Sequence, residues 1–184
     1  GRLAMAGHDV TFVARGAHLG AIRKRGLRVD SINGDFVVHP ASATDDPATI
    51  GEVDSVIVGV KTWQLDDAAR SMRPLIGSET AVLPLLNGVE APDRIAALIG
   101  ARHALGRLFR VIATLQGPGH IRHSGVEPSI ILGEMDDRRS DRVERLCRTF
   151  VDAGVRAEVP ADIRVALWEK LMMIATVSGI GAVT

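Results

Sequence analysis

The stretch Thr80-Ala81-Val82-Leu83-Pro84-Leu85-Leu86-Asn87-Gly88 decides the fold, because an apolar run that stops at Asn-Gly predicts a buried strand ending in a polar loop. A second apolar run, 55–60, is likewise followed by a polar residue, Lys61. Such runs are typical of strands covered on both faces of a parallel sheet. Polar groups at the ends of consecutive strands line the crevice in which open α/β sheets bind ligands. We therefore predict an α/β fold with a ligand site at Lys61 and Asn87.

The segments around these runs alternate between strand and helix patterns, which favours a parallel sheet with crossover helices. Asn33-Gly34-Asp35 between two short runs is a hairpin signal. In the first hundred residues we predict strands over 10–14, 27–32, 36–38, 56–60 and 80–86, helices over 18–25, 64–72 and 91–99, and a polar loop or short helix over 44–52.

The pattern changes near Gly100. Strands predicted over 104–115, 119–123, 129–132 and 155–159 would extend the sheet, the first three of them in antiparallel fashion. An amphipathic helix is predicted over 141–150. A long apolar helix follows Pro160, which suits a first helical turn, and Asp162 is favourable near a helix N-terminus.

Composition excludes several classes of function. The 184 residues include 22 basic and 22 acidic side chains, so charge gives no case for nucleic acid or an anionic membrane as a partner. No run is long enough to predict a transmembrane helix. A single cysteine, Cys147, allows no internal disulfide and fits a cytoplasmic protein. The histidines form no metal-binding pattern, and Glu134, Asp136 and Asp137 are expected in a solvated turn.

Both ends of the sequence indicate a piece of a longer protein. Residues 1–10 have the pattern of a helix tail, a glycine stop and a new strand, without an initiator methionine. The apolar stretch 179–184 has no cap. We expect a first strand and a glycine-rich phosphate loop before residue 1, and a homodimer is plausible because the apolar C-terminal stretch has no visible partner.

Arg15 follows the predicted strand 10–14, which would be the second strand of the fold because we expect a first strand before residue 1. In a dinucleotide-binding fold, the residue at the end of the second strand meets the adenosine ribose, and an arginine there can pair with the 2′-phosphate of NADP. The alternative is an ordinary solvated basic residue at a strand end.

Lys61, Asn87 and Gly88 are candidates for ligand contacts. An ammonium can reach a phosphate, a ribose hydroxyl or a carboxylate, and the Asn87 amide both donates and accepts hydrogen bonds. Gly88 permits close approach of the backbone. The alternative interpretation is a loop lysine for Lys61 and a helix N-cap for Asn87.

Lys170 lies on the long apolar helix, with Ile174 and Ser178 one and two turns further on. A lysine that faces a cleft could hydrogen-bond a 2-oxo group and protonate the alkoxide formed by hydride transfer. Alternatively, Lys170 extends along the helix surface with its head group in water.

Taken together, five segments in order make the sequence similar to the ketopantoate reductase family, which reduces 2-dehydropantoate with NADPH. They are Gly1-Arg2-Leu3-Ala4-x-x-Gly7-His8-x-Val10 running to Val13-Ala14-Arg15-Gly16, Val60-Lys61-Thr62-Trp63-Gln64, Leu86-Asn87-Gly88-Val89, Gly117-Pro118-Gly119-x-Ile121-Arg122-His123, and Trp168-Glu169-Lys170-Leu171.

The resemblance implies a Rossmann-like NADP-binding domain over 1–159, with a mostly parallel sheet and an antiparallel extension. Residues 160–184 would be the first long helix of an all-helical substrate domain. The resemblance also implies production of pantoate on the route to pantothenate and coenzyme A. Lys170 matches the general acid that positions the substrate, and Arg15 matches the reader of the 2′-phosphate. Further matches to the cofactor site are Lys61, Gln64, Asn87 and Gly88, and further matches to the substrate site are Asn87 and Ser178.

The sequence departs from the best-known members of the family one turn after Lys170. Those members carry a substrate-binding asparagine there, whereas this chain has Ile174. An isoleucine cannot hydrogen-bond a carboxylate or a hydroxyl. Reduction of another 2-oxo acid therefore stays open as an alternative. A nucleotide-binding or interaction module without catalysis is a second alternative, and it would apply if the mature protein lacks the glycine-rich loop.

Overall fold

The computed structural model describes residues 1–183 and has the mixed α/β architecture that the sequence predicts. Its helices are α1 (Arg2–Met5), α2 (Gly16–Arg25), α3 (Leu65–Ser71), α4 (Ala91–Ile99), α5 (Asp141–Asp152) and α6 (Ile163–Val183). Its strands are β1 (Thr11–Val13), β2 (Leu27–Ser31), β3 (Phe36–Val38), β4 (Ser42–Thr44), β5 (Val53–Val58), β6 (Ile76–Pro84), β7 (Leu105–Gly117), β8 (His120–Glu134) and β9 (Arg156–Glu158).

The strands form two parallel pairs and one mixed sheet. β1 pairs with β4, and β5 pairs with β6, both in parallel. The mixed sheet has the order β3-β2-β8-β7, with β9 also parallel to β8. A bridge between Val82 and Ala104 connects β6 to the start of β7. The parallel pairs and the antiparallel extension together confirm the predicted fold class.

The second half of β6, residues 80–84, is buried on both faces, as its continuous apolar sequence predicts. Val82 packs in one core cluster with Leu65 of α3 and Ile95 of α4. Leu83, the next residue, packs in a second cluster with Leu105 and Val143. Because successive side chains of a strand point to opposite faces, β6 lies between two helical layers. Each of these fully buried side chains stabilises the fold by about 1.5–3 kcal/mol.

Two strand predictions need correction. The predicted hairpin is present as β2–β3, but β4 was missed because Ser42-Ala43-Thr44 is short and polar. The runs 119–123 and 129–132 are two parts of one strand, β8. Polar residues around Gly125 separate them in sequence, but the strand continues past an irregularity in its pairing with β7.

The solvated turn expected at Glu134 is also wrong, because this carboxylate is only 4% exposed. It accepts hydrogen bonds from Arg142 Nε at 2.8 Å, Arg142 Nη2 at 2.7 Å and Ser140 Oγ at 2.6 Å. Burial raises the pKa of Glu134, but these hydrogen bonds outweigh it and hold the pKa below its usual range. The ion pair therefore fixes the first turn of α5 to the end of β8.

The N-terminus of α6 is attached to the β7–β8 hairpin. Asp162 caps the helix through a 2.9 Å hydrogen bond from Val165 N, and Asp137 accepts a 3.0 Å bond from Ile163 N. The helix therefore begins three residues after Pro160. The Ile163 side chain packs directly on Gly106 and Gly133, which are cross-strand partners. The predicted domain boundary at residue 159 stays a prediction, and Thr184 lies outside the described residues.

The opposite side of α6 is exposed and apolar, with Val165, Trp168 and Met172 at 52%, 56% and 61% exposure. The homodimer predicted from this stretch stays a prediction. Within the described part of the chain, no helix combines the length and the apolar character that crossing a membrane requires.

We predict that Gly106→Ala destabilises the complete protein by about 1–3 kcal/mol, because the added methyl group overpacks the contact with α6. An ideal Cβ at Gly106 would lie 2.5 Å from Ile163 Cγ1 and 2.9 Å from Met135 Sδ. Urea denaturation measures the free energy of unfolding. Gly117→Ala on the same strand is the matched control, because a Cβ there meets no atom within 4 Å. Equal losses in both variants would contradict a tight α6 contact.

Candidate active site

Lys61 and Asn87 follow the ends of two adjacent parallel strands. Val58 and Pro84 are the last paired residues of β5 and β6, and the two polar residues each come three positions later. Leu85 N donates a 2.7 Å hydrogen bond to Val58 O just beyond the last pair. The loops that carry Lys61 and Asn87 therefore start side by side at one edge of the sheet, as the sequence predicts.

The loop after β5 is a 3₁₀ turn, Thr62–Gln64, held by side-chain hydrogen bonds from within the loop and from α4. Lys61 N donates a 3.1 Å hydrogen bond to Gln64 Oε1. Arg94 of α4 donates to Thr62 O at 3.3 Å and forms a 2.6 Å ion pair with Asp66. Gln64 thus orders the backbone at Lys61, and its contact with a cofactor stays a prediction.

The loop after β6 leaves Asn87 and Gly88 exposed. Gly88 has φ +95°, a backbone conformation that residues other than glycine rarely adopt. No atom lies within 4 Å of the place where a Cβ would be. The N-cap of α4 is Glu90, so Asn87 does not cap this helix. The alternative interpretation of Asn87 is therefore wrong, and open space adjoins the backbone of this loop.

Lys170 turns toward the sheet instead of extending along the helix surface into water. Its ammonium donates a 2.8 Å hydrogen bond to Phe109 O of β7. Burial, and then the charges of Arg107 and Arg110, lower the pKa of Lys170 to about 8. An ammonium with this pKa is mostly protonated at neutral pH and is a better acid than an ordinary lysine.

A small pocket brings the loop after β6 together with the helix α6. Ile174, one turn after Lys170, is part of its wall. The pocket thus combines an amide, an ammonium and apolar side chains around a cavity volume of about 10 Å³, which admits a single water-sized polar group. Its lining residues are Leu86, Asn87, Gly88, Arg107, Leu167, Lys170, Leu171 and Ile174.

Arg107 is the charged lining residue that the sequence analysis did not predict. It is 4% exposed and donates hydrogen bonds from Nε to Pro84 O and from Nη2 to Leu86 O, the latter at 2.7 Å. Burial lowers its pKa to about 10. The available signal was a charge inside the run 104–109, where an apolar residue would be expected in a buried strand.

Arg15 and Ser178 lie outside this pocket. Arg15 comes two residues after β1 and is the N-cap residue of α2, where its side chain is exposed. Ser178 lies one turn beyond Ile174 and is also exposed. The roles of both residues stay predictions.

A larger and more open cavity lies elsewhere. Arg2, the turn Asn33–Phe36 and the loop Asp152–Gly154 form most of its wall. None of its lining residues is a predicted site residue, so the pocket at Lys170 is the candidate active site.

The chain is similar to known proteins over nearly its whole length. A family model described as ketopantoate reductase PanE/ApbA matches residues 1–137. The chain is 30% identical to the uncharacterized oxidoreductase YkpB of Bacillus subtilis, over 98% of this chain and 59% of that protein. It is 34% identical to a 2-dehydropantoate 2-reductase of Mesorhizobium japonicum, over 100% of this chain and 62% of that protein. The chain thus spans about three fifths of the length of these relatives.

The chain is also similar to solved protein structures. A 2-dehydropantoate 2-reductase from Porphyromonas gingivalis superimposes with a TM-score of 0.91 at 32% identity, covering 98% of this chain and 66% of that one. The corresponding protein from Geobacter metallireducens gives a TM-score of 0.86 at 36% identity, over 92% and 56%.

We predict that Lys170 titrates near pH 8, because its ammonium is partly buried beside two guanidinium groups. Reductive ¹³C-methylation followed by NMR titration measures this directly, and the Lys170 signal is the one lost in Lys170→Arg. Lys61→Arg, which must retain that signal, is the matched control for the assignment. A midpoint at the ordinary value of 10.5 would contradict the buried geometry.

Proposed function

Since this chain belongs to the ketopantoate reductase PanE/ApbA family, we propose that the complete protein reduces a 2-oxo acid, 2-dehydropantoate first among them, to the 2-hydroxy acid with NADPH. The observation that carries the proposal is the partly buried Lys170 ammonium in a pocket shared with Asn87. Relatives named 2-dehydropantoate 2-reductase support the reaction class. The product would be pantoate, on the route to pantothenate and coenzyme A.

The residues present fit a dinucleotide along the edge of the sheet. The open space at Gly88 would admit the cofactor close to the backbone, with Lys61 and Asn87 as hydrogen-bonding groups beside it. The exposed guanidinium of Arg15 at the start of α2 would pair with a 2′-phosphate. Gln64 would support this edge by ordering the backbone of Lys61. NADPH, when bound, supplies the hydride for the reduction.

Lys170 would supply the proton. Its ammonium would donate a hydrogen bond to the ketone oxygen and transfer that proton as negative charge develops there, so that the C=O group becomes CH–OH. The carbonyl of Phe109 orients the ammonium at 2.8 Å before substrate binds. The apolar residues Leu167 and Ile174 in the same wall would exclude water and strengthen this interaction.

A different 2-oxo acid is the second candidate substrate, and Ile174 favours it. This side chain lines the pocket, whereas Ser178 lies outside it. The helix therefore offers fewer hydrogen bonds to the hydroxyl group of ketopantoate than an asparagine would, and a less polar substrate side chain would fit at least as well.

Lys170→Ala should lower turnover by about two or more orders of magnitude, because the reaction loses its general acid. Turnover is measured on the complete protein with NADPH and a panel of 2-oxo acids that includes 2-dehydropantoate. The exposed Glu169→Gln on the same helix is the matched control and should keep wild-type turnover. In the wild type, turnover should fall as pH rises through about 8, where Lys170 loses its proton. Unchanged turnover in Lys170→Ala would rule out this role.

Arg15→Ala should weaken binding of NADPH by about tenfold or more and leave NADH binding unchanged, because a charge-assisted hydrogen bond to the 2′-phosphate is lost. Fluorescence titration of the complete protein with each dinucleotide measures both affinities. Arg73→Ala, which removes an exposed arginine that bonds only Leu98 O among the described residues, is the control. Equal weakening toward both dinucleotides would reject the 2′-phosphate contact.

A further inference from the structure

Arg107 is a buried charge without a counterion among residues 1–183. Its side chain is 4% exposed, and within residues 1–183 no carboxylate lies within ion-pair distance of it. Arg142 differs in this respect, because its side chain, 11% exposed, pairs with Glu134 at 2.7 Å. Removing a cation from water without an anionic partner is unfavourable, so the charge of Arg107 favours binding of an anion that the described residues do not supply.

The hydrogen bonds of Arg107 leave part of its guanidinium group available. The group has five N–H donors in a planar fork. One on Nε and one on Nη2 reach the carbonyl oxygens of Pro84 and Leu86. Nη1 makes no hydrogen bond to any described residue, so the Nη1–Nη2 edge can receive a carboxylate through two parallel hydrogen bonds.

Arg107 and Lys170 line the same pocket. Their closeness is electrostatically unfavourable, since the charge of Arg107 helps to lower the pKa of Lys170. A bound anion would relieve this repulsion. Ile174, in the same wall, cannot donate a hydrogen bond to an anion, so the helix does not provide this contact.

We propose that Arg107 binds the carboxylate of the 2-oxo acid substrate while Lys170 holds the adjacent ketone oxygen. The inference rests on the proposed function and adds a specificity-determining residue to it. A 2-oxo acid carries its carboxylate directly on the ketone carbon, so two cations in one small pocket match two neighbouring oxygen groups. Arg107 would thus select 2-oxo acids over neutral ketones.

A purely structural role for Arg107 makes a different prediction. The bonds to Pro84 O and Leu86 O also support the loop that carries Asn87. If that were the whole role, Arg107→Met would impair acids and neutral substrates to the same extent. The comparison of a 2-oxo acid with its neutral 2-oxo amide therefore separates the two roles.

The test is steady-state kinetics of the complete protein with each 2-oxo acid and its amide. Arg107→Met should reduce kcat/KM for the acid by about 10- to 100-fold, mainly through KM, and change kcat/KM for the amide by less than about threefold. Arg107→Lys keeps the charge and should retain part of the preference for the acid. Arg110→Met is the matched control, because it removes an exposed positive charge from the same strand outside the pocket. Equal loss for acid and amide in Arg107→Met would overturn the proposal.

A binding measurement separates this proposal from the proposed reaction. Oxamate, a carboxylate beside a carbonyl, should shift the ¹³C-methyl signal of Lys170 in the wild type with NADPH present, and neutral oxamide should not. The oxamate shift should disappear in Arg107→Met and persist in Arg110→Met. If no 2-oxo acid is reduced but this pattern holds, the proposed reaction fails and the Arg107 site stands. If oxamate shifts Lys170 equally in the wild type and Arg107→Met, or in neither, the Arg107 site is wrong.

Discussion

The packing of Ile163 over the glycine pair Gly106–Gly133 is the contact on which the candidate site depends. Because neither glycine has a Cβ, α6 approaches the β7–β8 hairpin closely at its first residue. Leu167, Lys170 and Ile174 follow at helical spacing on the same side of α6. The first contact therefore determines where along β7 the ammonium of Lys170 lies, and the 2.8 Å bond to Phe109 O follows from it. A shift of α6 by one residue would turn Lys170 away from the pocket.

Buried charge is used in two ways in this fold. Glu134 and Arg142 neutralise each other, and their ion pair attaches α5 to the sheet. Arg107 is as buried as Glu134, at 4% exposure, but bonds only to backbone carbonyl oxygens among the described residues. The first arrangement is complete within the protein, whereas the second leaves a positive charge facing a pocket that also contains Lys170. Perturbed ionisable groups at a pocket are a physical indication of function, since desolvation of a charge that no partner offsets lowers stability.

Membership of the ketopantoate reductase PanE/ApbA family agrees with this arrangement and adds a chemical class to it. The family relationship supports our proposal of 2-oxo acid reduction, and the pocket contains two cationic groups, Arg107 and Lys170, that suit the carboxylate and the ketone oxygen of such a molecule. The relatives are longer than this chain, which spans about three fifths of their length. The proposed reaction therefore belongs to the complete protein. Ile174 replaces in this pocket the asparagine of the best-known members, and our proposal assigns recognition of the substrate carboxylate to Arg107.

The sequence alone determined the elements that local patterns encode. The apolar runs that end at Lys61 and Asn87 predicted β5, β6 and the loops after them, because continuous hydrophobicity followed by polar residues is a local signal. The Asn33-Gly34 turn and α5 were predicted for the same reason, and Lys170 was identified as an unexpected charge on an apolar helix. Tertiary structure alone decided which of these residues meet. Whether a charged side chain is neutralised depends on partners far away in the sequence. Glu134 is buried because it pairs with Arg142. Arg107 is a candidate anion-binding residue because no carboxylate among the described residues pairs with it. Such contacts join residues far apart in the chain, and no periodicity in the sequence records them.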